Sequence, residues 1–227
     1  MSNSENQTRQ RTATQRAAEQ IRQLIFSGEL TADSNHLESE LADRLGISRT
    51  PIREATLMLQ ASGLLEVQPR KGVRICAITA EDVEEICVVL TEMQCLAARL
   101  AAERGYSEAD LKALSNGIND IDKAQKNKQK DAWADAMISL KNVLVELSAN
   151  ERIATIVTNS NNQLRRVWQI SLRLDSIQEQ SIDSYRALHD AILTGKAQEA
   201  DKIQRLHCEH NREFLMNAIK KSGLKRV

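Results

Sequence analysis

The sequence predicts a mainly α-helical protein in two parts. An N-terminal winged helix-turn-helix is followed by a C-terminal all-α bundle of about six helices. Three observations predict this. Leu37 to Ile78 reads as helix, tight turn, helix and a short β-hairpin with a basic tip. The chain's two prolines, Pro51 and Pro69, both lie in that stretch, so nothing after residue 79 forbids helix. Aromatic residues make up only 3% of the chain, and its apolar residues are chiefly Leu, Ile and Ala, a composition for packed helices.

The elements follow in order. Residues 1–11 are polar and carry no apolar run, so they read as a disordered leader, neither signal peptide nor membrane anchor. The first domain then spans residues 12–78. In its centre Leu41, Ala42 and Leu45 form the apolar face of a helix that Gly46 stops, and Ile47 packs into the turn. Ser48 is placed to cap a second helix carrying Ile52, Ala55, Leu57 and Leu59, with Pro51 in its first turn, where a missing N–H costs nothing. Leu64–Val67 and Val73–Ile78 alternate as two short strands around the tip Pro69-Arg70-Lys71-Gly72.

Residues 79–227 form the second part. Thr79 with Asp82 is an acidic capping box that opens its first helix, whose stripe runs Val83, Ile86, Leu90, Met93, Ala97 and Leu100 to Gly105. Ser107 and Asp110 cap the next, with Leu111, Leu114, Ile118 and Ile121 inward. Further stripes are Trp133, Met137, Leu140, Leu144 and Leu147; Ile153, Ile156, Leu164, Val167 and Leu172; Ile182, Tyr185, Leu188 and Ile192 before Gly195; and Ala200, Ile203, Leu206, Phe214 and Ile219. Such stripes must bury against one another.

Composition excludes several classes. Lys plus Arg and Asp plus Glu both total 31, so any affinity for nucleic acid must come from a local patch. No apolar run reaches the roughly 18–20 residues of a membrane span. Cys76, Cys87, Cys95 and Cys208 lack metal-type spacing and read as buried thiols of a cytoplasmic protein. No nucleophile elbow, phosphate loop or paired-carboxylate arrangement occurs, so an enzyme is not expected.

One patch stands out. Arg49 and Arg53, four apart, crowd the N-terminal end of the second helix with Thr50, where free N–H groups and arginine forks suit phosphates and guanine edges. LADRLGISRTPIREATLML, then GLL, then PRKGVRI resembles the GntR family of bacterial transcription factors. AAEQIRQLIFSGEL resembles that family's first helix, although Ala32-Asp33 stands where Pro-Gly is usual. The resemblance implies that Ser39, Ser48, Arg49, Thr50 and Arg53 meet operator DNA, and that Arg70, Lys71 and Gly72 carry the wing tip into the minor groove. If Arg49, Arg53, Arg70, Lys71 and Arg74 each met one phosphate, a homodimer would neutralise ~10 charges and show a salt slope near about −9.

The second part also resembles a known domain. LAARLAAERGYSEADLKAL and SYRALHDAILTGKAQEADKIQRLH resemble the effector-binding FadR-type (FCD) helical domain of the same family. That implies a regulator of transcription, with repression as the expected sense, controlled by a small-molecule effector of the organic-acid kind. The alternative is a ligand-independent DNA binder whose bundle only dimerises. Most such domains hold a metal with one Asp and three His. On that pattern the Asp position is Met137, the first two His positions are Lys141 and Tyr185, and only the third survives, as His207. The Arg expected on the first bundle helix is Leu90. A degenerate metal site with no resident metal follows, and Met137, Lys141, Trp168, Tyr185 and His207 are expected to line a metal-free effector pocket.

Overall fold

The computed structural model of the chain describes residues 2–104, 107–174 and 182–222. It divides into two compact units, one of described residues up to Thr79 together with Asn162–Arg166, the other of Ala80–Asn161 and the described residues from Val167 to Ser222.

The first unit begins with α1 (Ser2–Phe26). The expected disordered leader is therefore helix from Ser2. Its Gln, Glu and Arg are good helix formers, and no Gly or Pro interrupts the chain before Gly28. β1 (Asn35–His36), α2 (Glu38–Leu45), α3 (Arg49–Ala61), β2 (Leu65–Gln68) and β3 (Gly72–Ile75) complete the unit. Leu37 precedes α2, and its N–H donates to the Glu40 carboxylate at 3.0 Å, which satisfies one free donor of the helix start. Gly46 ends α2 in the left-handed conformation, φ 65°. Ser48 holds the cap position of α3 but makes no side-chain cap bond. The core gathers Ile21 and Ile25 of α1, Leu41 of α2, Ile52, Ala55 and Leu59 of α3, and Leu65, Val73 and Ile75 of the sheet.

Two expectations change. The hairpin is the larger part of a three-stranded sheet of order β1-β3-β2, with Asn35 opposite Arg74 and His36 opposite Val73. A two-residue strand is too short to show alternation, so β1 left no signal in the sequence. Leu57, placed inward by its spacing, is instead 50% exposed, and Thr56 is fully buried in its stead, its Oγ bonded to the Arg53 carbonyl at 2.9 Å.

The second unit contains α4 (Ala80–Glu103), α5 (Glu108–Lys126), α6 (Lys130–Leu147), α7 (Glu151–Leu174), α8 (Ile182–Leu193) and α9 (Ala197–Ser222), so six helices among the described residues. The opening turn after Thr79 starts helix at Ala80, whereas Gly105 lies outside the described residues. The second cap is formed as expected: the Asp110 N–H donates to Ser107 Oγ at 3.2 Å, and the Ser107 N–H donates to the Asp110 carboxylate at 3.0 Å. One contiguous core runs through the bundle, from Ala98 of α4 through Leu114, Ile121, Trp133, Leu140 and Leu188 to Phe214 of α9. Ile156 and Leu206, counted among the buried stripes, are exposed at 39% and 48%. The bundle buries polar groups instead, among them Gln94, Gln204, His207 and Asn211. Cys87, Cys95 and Cys208 are buried free thiols, and Cys76 is half-buried.

Gly72 locks the wing. Its φ is 85°, and a Cβ there would lie 2.2 Å from the His36 carbonyl oxygen, inside β1. Gly46 is equally left-handed but faces open space. Gly46→Ala should therefore cost about 1 kcal/mol, the conformational penalty alone. Gly72→Ala should cost clearly more, because β1 must also move; urea midpoints followed by circular dichroism measure the difference.

Candidate nucleic-acid interface and interior bundle site

In the first unit the start of α3 and the hairpin tip border one open groove of about 410 Å³. Leu37, Ser39, Arg49, Arg53, Arg70 and Gly72 line it, together with Glu38 as the one acid. Helix periodicity explains half of this. Arg49 and Arg53 are one turn apart, opposite the buried Ile52, Ala55 and Leu59, so the face that leaves the core carries both guanidinium groups outward. Pro51 is buried at the third helical position, beneath the two arginines. The turn explains the rest. The Lys71 N–H donates to the Gln68 carbonyl at 3.0 Å, Pro69 takes the second position and Arg70 the third, at φ 66°. Proline followed by a left-handed residue is the pattern of a type II turn, whose third position favours glycine. An arginine there stores backbone strain at the exposed tip of the hairpin.

Arg49, Arg53, Arg70 and Lys71 are all exposed, and none forms an ion pair among the described residues. Four uncompensated cations in one small domain make a local positive field in a chain of zero net charge. Of the residues singled out in the sequence, the groove unites Ser39, Arg49, Arg53, Arg70 and Gly72; Ser48, Thr50 and Lys71 are exposed beside it. Arg74 is corrected. It sits mid-strand, half-exposed, and is paired with Asp33, so it is not a free phosphate contact. Sequence reasoning missed Glu38, whose carboxylate lies 3.3 Å from the Thr56 hydroxyl and is held back against α3.

The second unit has its own polar site, inside the bundle. Met137 and Lys141 come from α6, Trp168 from α7, Ser184 and Tyr185 from α8, and His207 from α9. The Tyr185 and His207 rings lie 4.3 Å apart, and the Tyr185 hydroxyl donates to the Met137 sulfur at 3.2 Å. Lys141 Nζ lies 4.9 Å from the centre of the Trp168 ring, which in turn packs on Trp133 and Phe214. The five residues expected to line a pocket are thus joined by contacts into two groups, Met137–Tyr185–His207 and Lys141–Trp168. Electrostatics connects the groups: Lys141 is close enough to disfavour a charge on His207. Ser184 joins them, its Oγ 2.8 Å from His207 Nε2; nothing in its spacing marked it beforehand.

Protonation there is set by burial. Lack of solvent pushes the His207 imidazole down to about 4, with His210 and Lys141 acting in the same direction. The lysine keeps some exposed area, yet its ammonium is crowded by protein atoms, and burial holds it below the ordinary lysine range. The side-chain types, rather than their protonation, speak against a metal. A thioether, an ammonium, a phenol and one imidazole are not a ligand set for a divalent ion, and the ammonium repels one. Among the described residues no three His, Cys, Asp or Glu side chains converge on a common point. His210, three residues on, is exposed.

Comparison with known proteins agrees with both halves. A model for the FCD domain matches residues 85–210, and one for bacterial regulatory proteins of the gntR family matches residues 13–75. The uncharacterized HTH-type transcriptional regulator YdhC of Bacillus subtilis is 26% identical over 204 residues, 88% of this chain and 89% of that one. The HTH-type transcriptional repressor RspR of Escherichia coli is 22% identical over 177 residues, 78% of this chain and 76% of that one. The solved structure of E. coli McbR/YncC shares the fold, with a TM-score of 0.77 at 18% identity, covering 90% of this chain and 97% of that one.

The arginines should be dispensable for folding. Arg49→Ala and Arg53→Ala, exposed and unpaired, are each expected within about 0.5 kcal/mol of the parent in urea unfolding. Arg70→Gly should not destabilise, because relief of the left-handed strain offsets the added freedom of the unfolded chain.

Proposed function

Since this chain belongs to the gntR family of bacterial regulatory proteins, in the branch that carries an FCD domain, we propose that it acts as an operator-binding homodimer, a repressor released by a small-molecule effector in its bundle. It is a DNA-binding regulator of transcription and not an enzyme. The observation that carries the finer reading is the groove between α3 and the hairpin tip, with its free cations at the N-terminal end of an exposed helix face. Arg49 and Arg53 read base edges or clamp phosphates in the major groove, Ser48 and Thr50 donate to phosphates beside them, and Ser39 supports the same backbone. Arg70, Lys71 and Gly72 bring the tip to the minor groove.

Dimerisation follows from affinity. One domain offers four free cations, a small number of phosphate contacts, and two copies offer eight on a pseudo-palindromic site. With Arg74 engaged by Asp33, the expected dependence of log affinity on log salt has a slope near about −7. Cytoplasmic location suits such a partner, and no helix among the described residues is long and apolar enough to cross a membrane. Effector control needs only that ligand bind one dimer geometry better than the other. The interior cation is what supports an effector over a bundle that merely dimerises: among the described residues no acid pairs with the Lys141 ammonium, and a purely structural core has no use for such a group.

The operator can be selected from a random duplex pool with the full-length protein. Arg49→Ala and Arg53→Ala should each abolish specific binding to the selected sequence while leaving the fold intact, and one protomer should occupy each half-site. Unchanged affinity in both variants, or one protomer on a full operator, would remove this reading. In thermal shift against a metabolite panel, a true effector at 100-fold over its Kd should add ~2.7 kcal/mol.

A further inference from the structure

Two thiols of the bundle meet across the seam between α4 and α9. The Cys95 thiol of α4 donates to the Cys208 sulfur of α9, and the Gln204 amide donates to the same sulfur at 3.4 Å. Cys208 in turn donates to Gln94 Oε1 at 3.1 Å, while Gln94 Nε2 is buried with no hydrogen-bond partner. A half-turn of that carboxamide exchanges its two polar atoms and brings a further donor onto the sulfur. Thr91, one turn before Cys95, adds its hydroxyl, and Lys141 acts on Cys208 as a nearby positive charge. Donors gathered on one sulfur favour the thiolate, the form that attacks electrophiles. The four cysteines of the chain divide on this point. Hydrogen bonds, led by that from Cys95, hold Cys208 below the ordinary thiol range against the cost of its burial. Burial pushes Cys76 up and Cys87 up to about 11, and donation to Cys208 raises Cys95 as well.

We propose that Cys208 and Cys95 form a reversible oxidation site, where hydrogen peroxide oxidises Cys208 and Cys95 then closes a disulfide across the α4–α9 seam. Exposure assigns the roles. Cys208 is 6% exposed and Cys95 1%, so a reagent about the size of water meets Cys208 first. The Cys208 thiolate attacks one peroxide oxygen, the O–O bond breaks, and the departing hydroxide takes up the proton that Cys208 released, giving water. The sulfenic acid left on Cys208 is then attacked by the Cys95 sulfur. An S–S bond forms as the S–O bond breaks, and the second hydroxide leaves as water with the Cys95 proton. The two sulfurs give up two electrons, which reduce one molecule of peroxide. A dithiol reductant reverses the linkage by thiol–disulfide exchange, so the site resets in a reducing compartment.

Full-length protein, reduced and then freed of reductant, is treated with hydrogen peroxide, and its remaining thiols are blocked with N-ethylmaleimide in denaturant. Peptide mass mapping should show Cys95 joined to Cys208 within one chain, two of the four thiols lost, and both restored by dithiothreitol. Cys208 should be consumed at least about tenfold faster than Cys87, whose thiol is held protonated. Cys95→Ala should leave Cys208 as a sulfenic acid that dimedone captures. Cys208→Ala should leave Cys95 as open to the maleimide as in untreated protein. Unaltered Cys208, oxidation confined to the half-buried Cys76, equal rates at Cys208 and Cys87, or a linkage to another cysteine would overturn the proposal. So would a Cys95–Cys208 linkage that forms only in urea-unfolded protein. The parent measurement needs no variant to fold. Operator binding through Arg49 and Arg53 stands whatever the outcome, because neither thiol belongs to the DNA-reading unit.

Discussion

Complete burial of one side of α3 is the constraint on which the DNA-reading unit depends. Ile52, Ala55 and Leu59 are each 0% exposed, and burying side chains of this size contributes about 1.5–3 kcal/mol for each of the two larger ones. Ile21 and Ile25 of α1 and Ile75 of β3 close over them. The helix cannot then rotate, and its opposite face must carry Arg49 and Arg53 into solvent. Thr14 reinforces the arrangement, donating to the Glu54 carboxylate across 2.6 Å. The same core pins β3 at the centre of the sheet, and Gly72 at its first position allows β1 to approach without a side chain between them. The wing tip inherits its place from that sheet.

The bundle follows the opposite rule at its centre. Its outer packing is apolar and its seams are close, as at Gly117 of α5, where a Cβ would lie 3.1 Å from Leu140 Cδ1 of α6. Between α4 and α9, however, Gln204 donates to Gln94 at 3.3 Å and Cys208 donates to the same carbonyl at 3.1 Å. Those bonds satisfy the Gln94 carbonyl, while its Nε2 is buried without a hydrogen-bond partner. His207, the residue before Cys208, is satisfied on one ring nitrogen only, and Lys141 leans on an aromatic face.

Much of this was legible in the residue order. The helix-turn-helix, its stop at Gly46, the hairpin and the six bundle helices all depend on neighbours within a few positions, and so did the Ser107–Asp110 cap. The errors have separate physical causes. Leu57, Ile156 and Leu206 fit an inward spacing yet lie at the border of their stripes, where a leucine or isoleucine in water costs little. Residues 2–11 lack apolar periodicity, but helix propensity alone, with no breaker before Gly28, continues α1 through them. Thr56, Gln94 and Gln204 went inward although polar, because each has a hydrogen-bond partner there that is far away in sequence or one turn back.

By itself the sequence determined the reading head: which residues form its helices, that Arg49 and Arg53 share a face, and that the second part is helical. These follow from steric and hydrogen-bonding preferences that act over a single turn. Only the tertiary structure decided which of those charges are free. Arg74 is bound to Asp33, 41 residues away, while Arg49, Arg53 and Arg70 border one groove. It likewise decided that Lys141, Trp168 and His207, from three different helices, belong to one interior in which no carboxylate among the described residues answers the lysine. Charge is a property of a residue, whereas compensation is a property of its surroundings, and those are assembled only when distant helices pack.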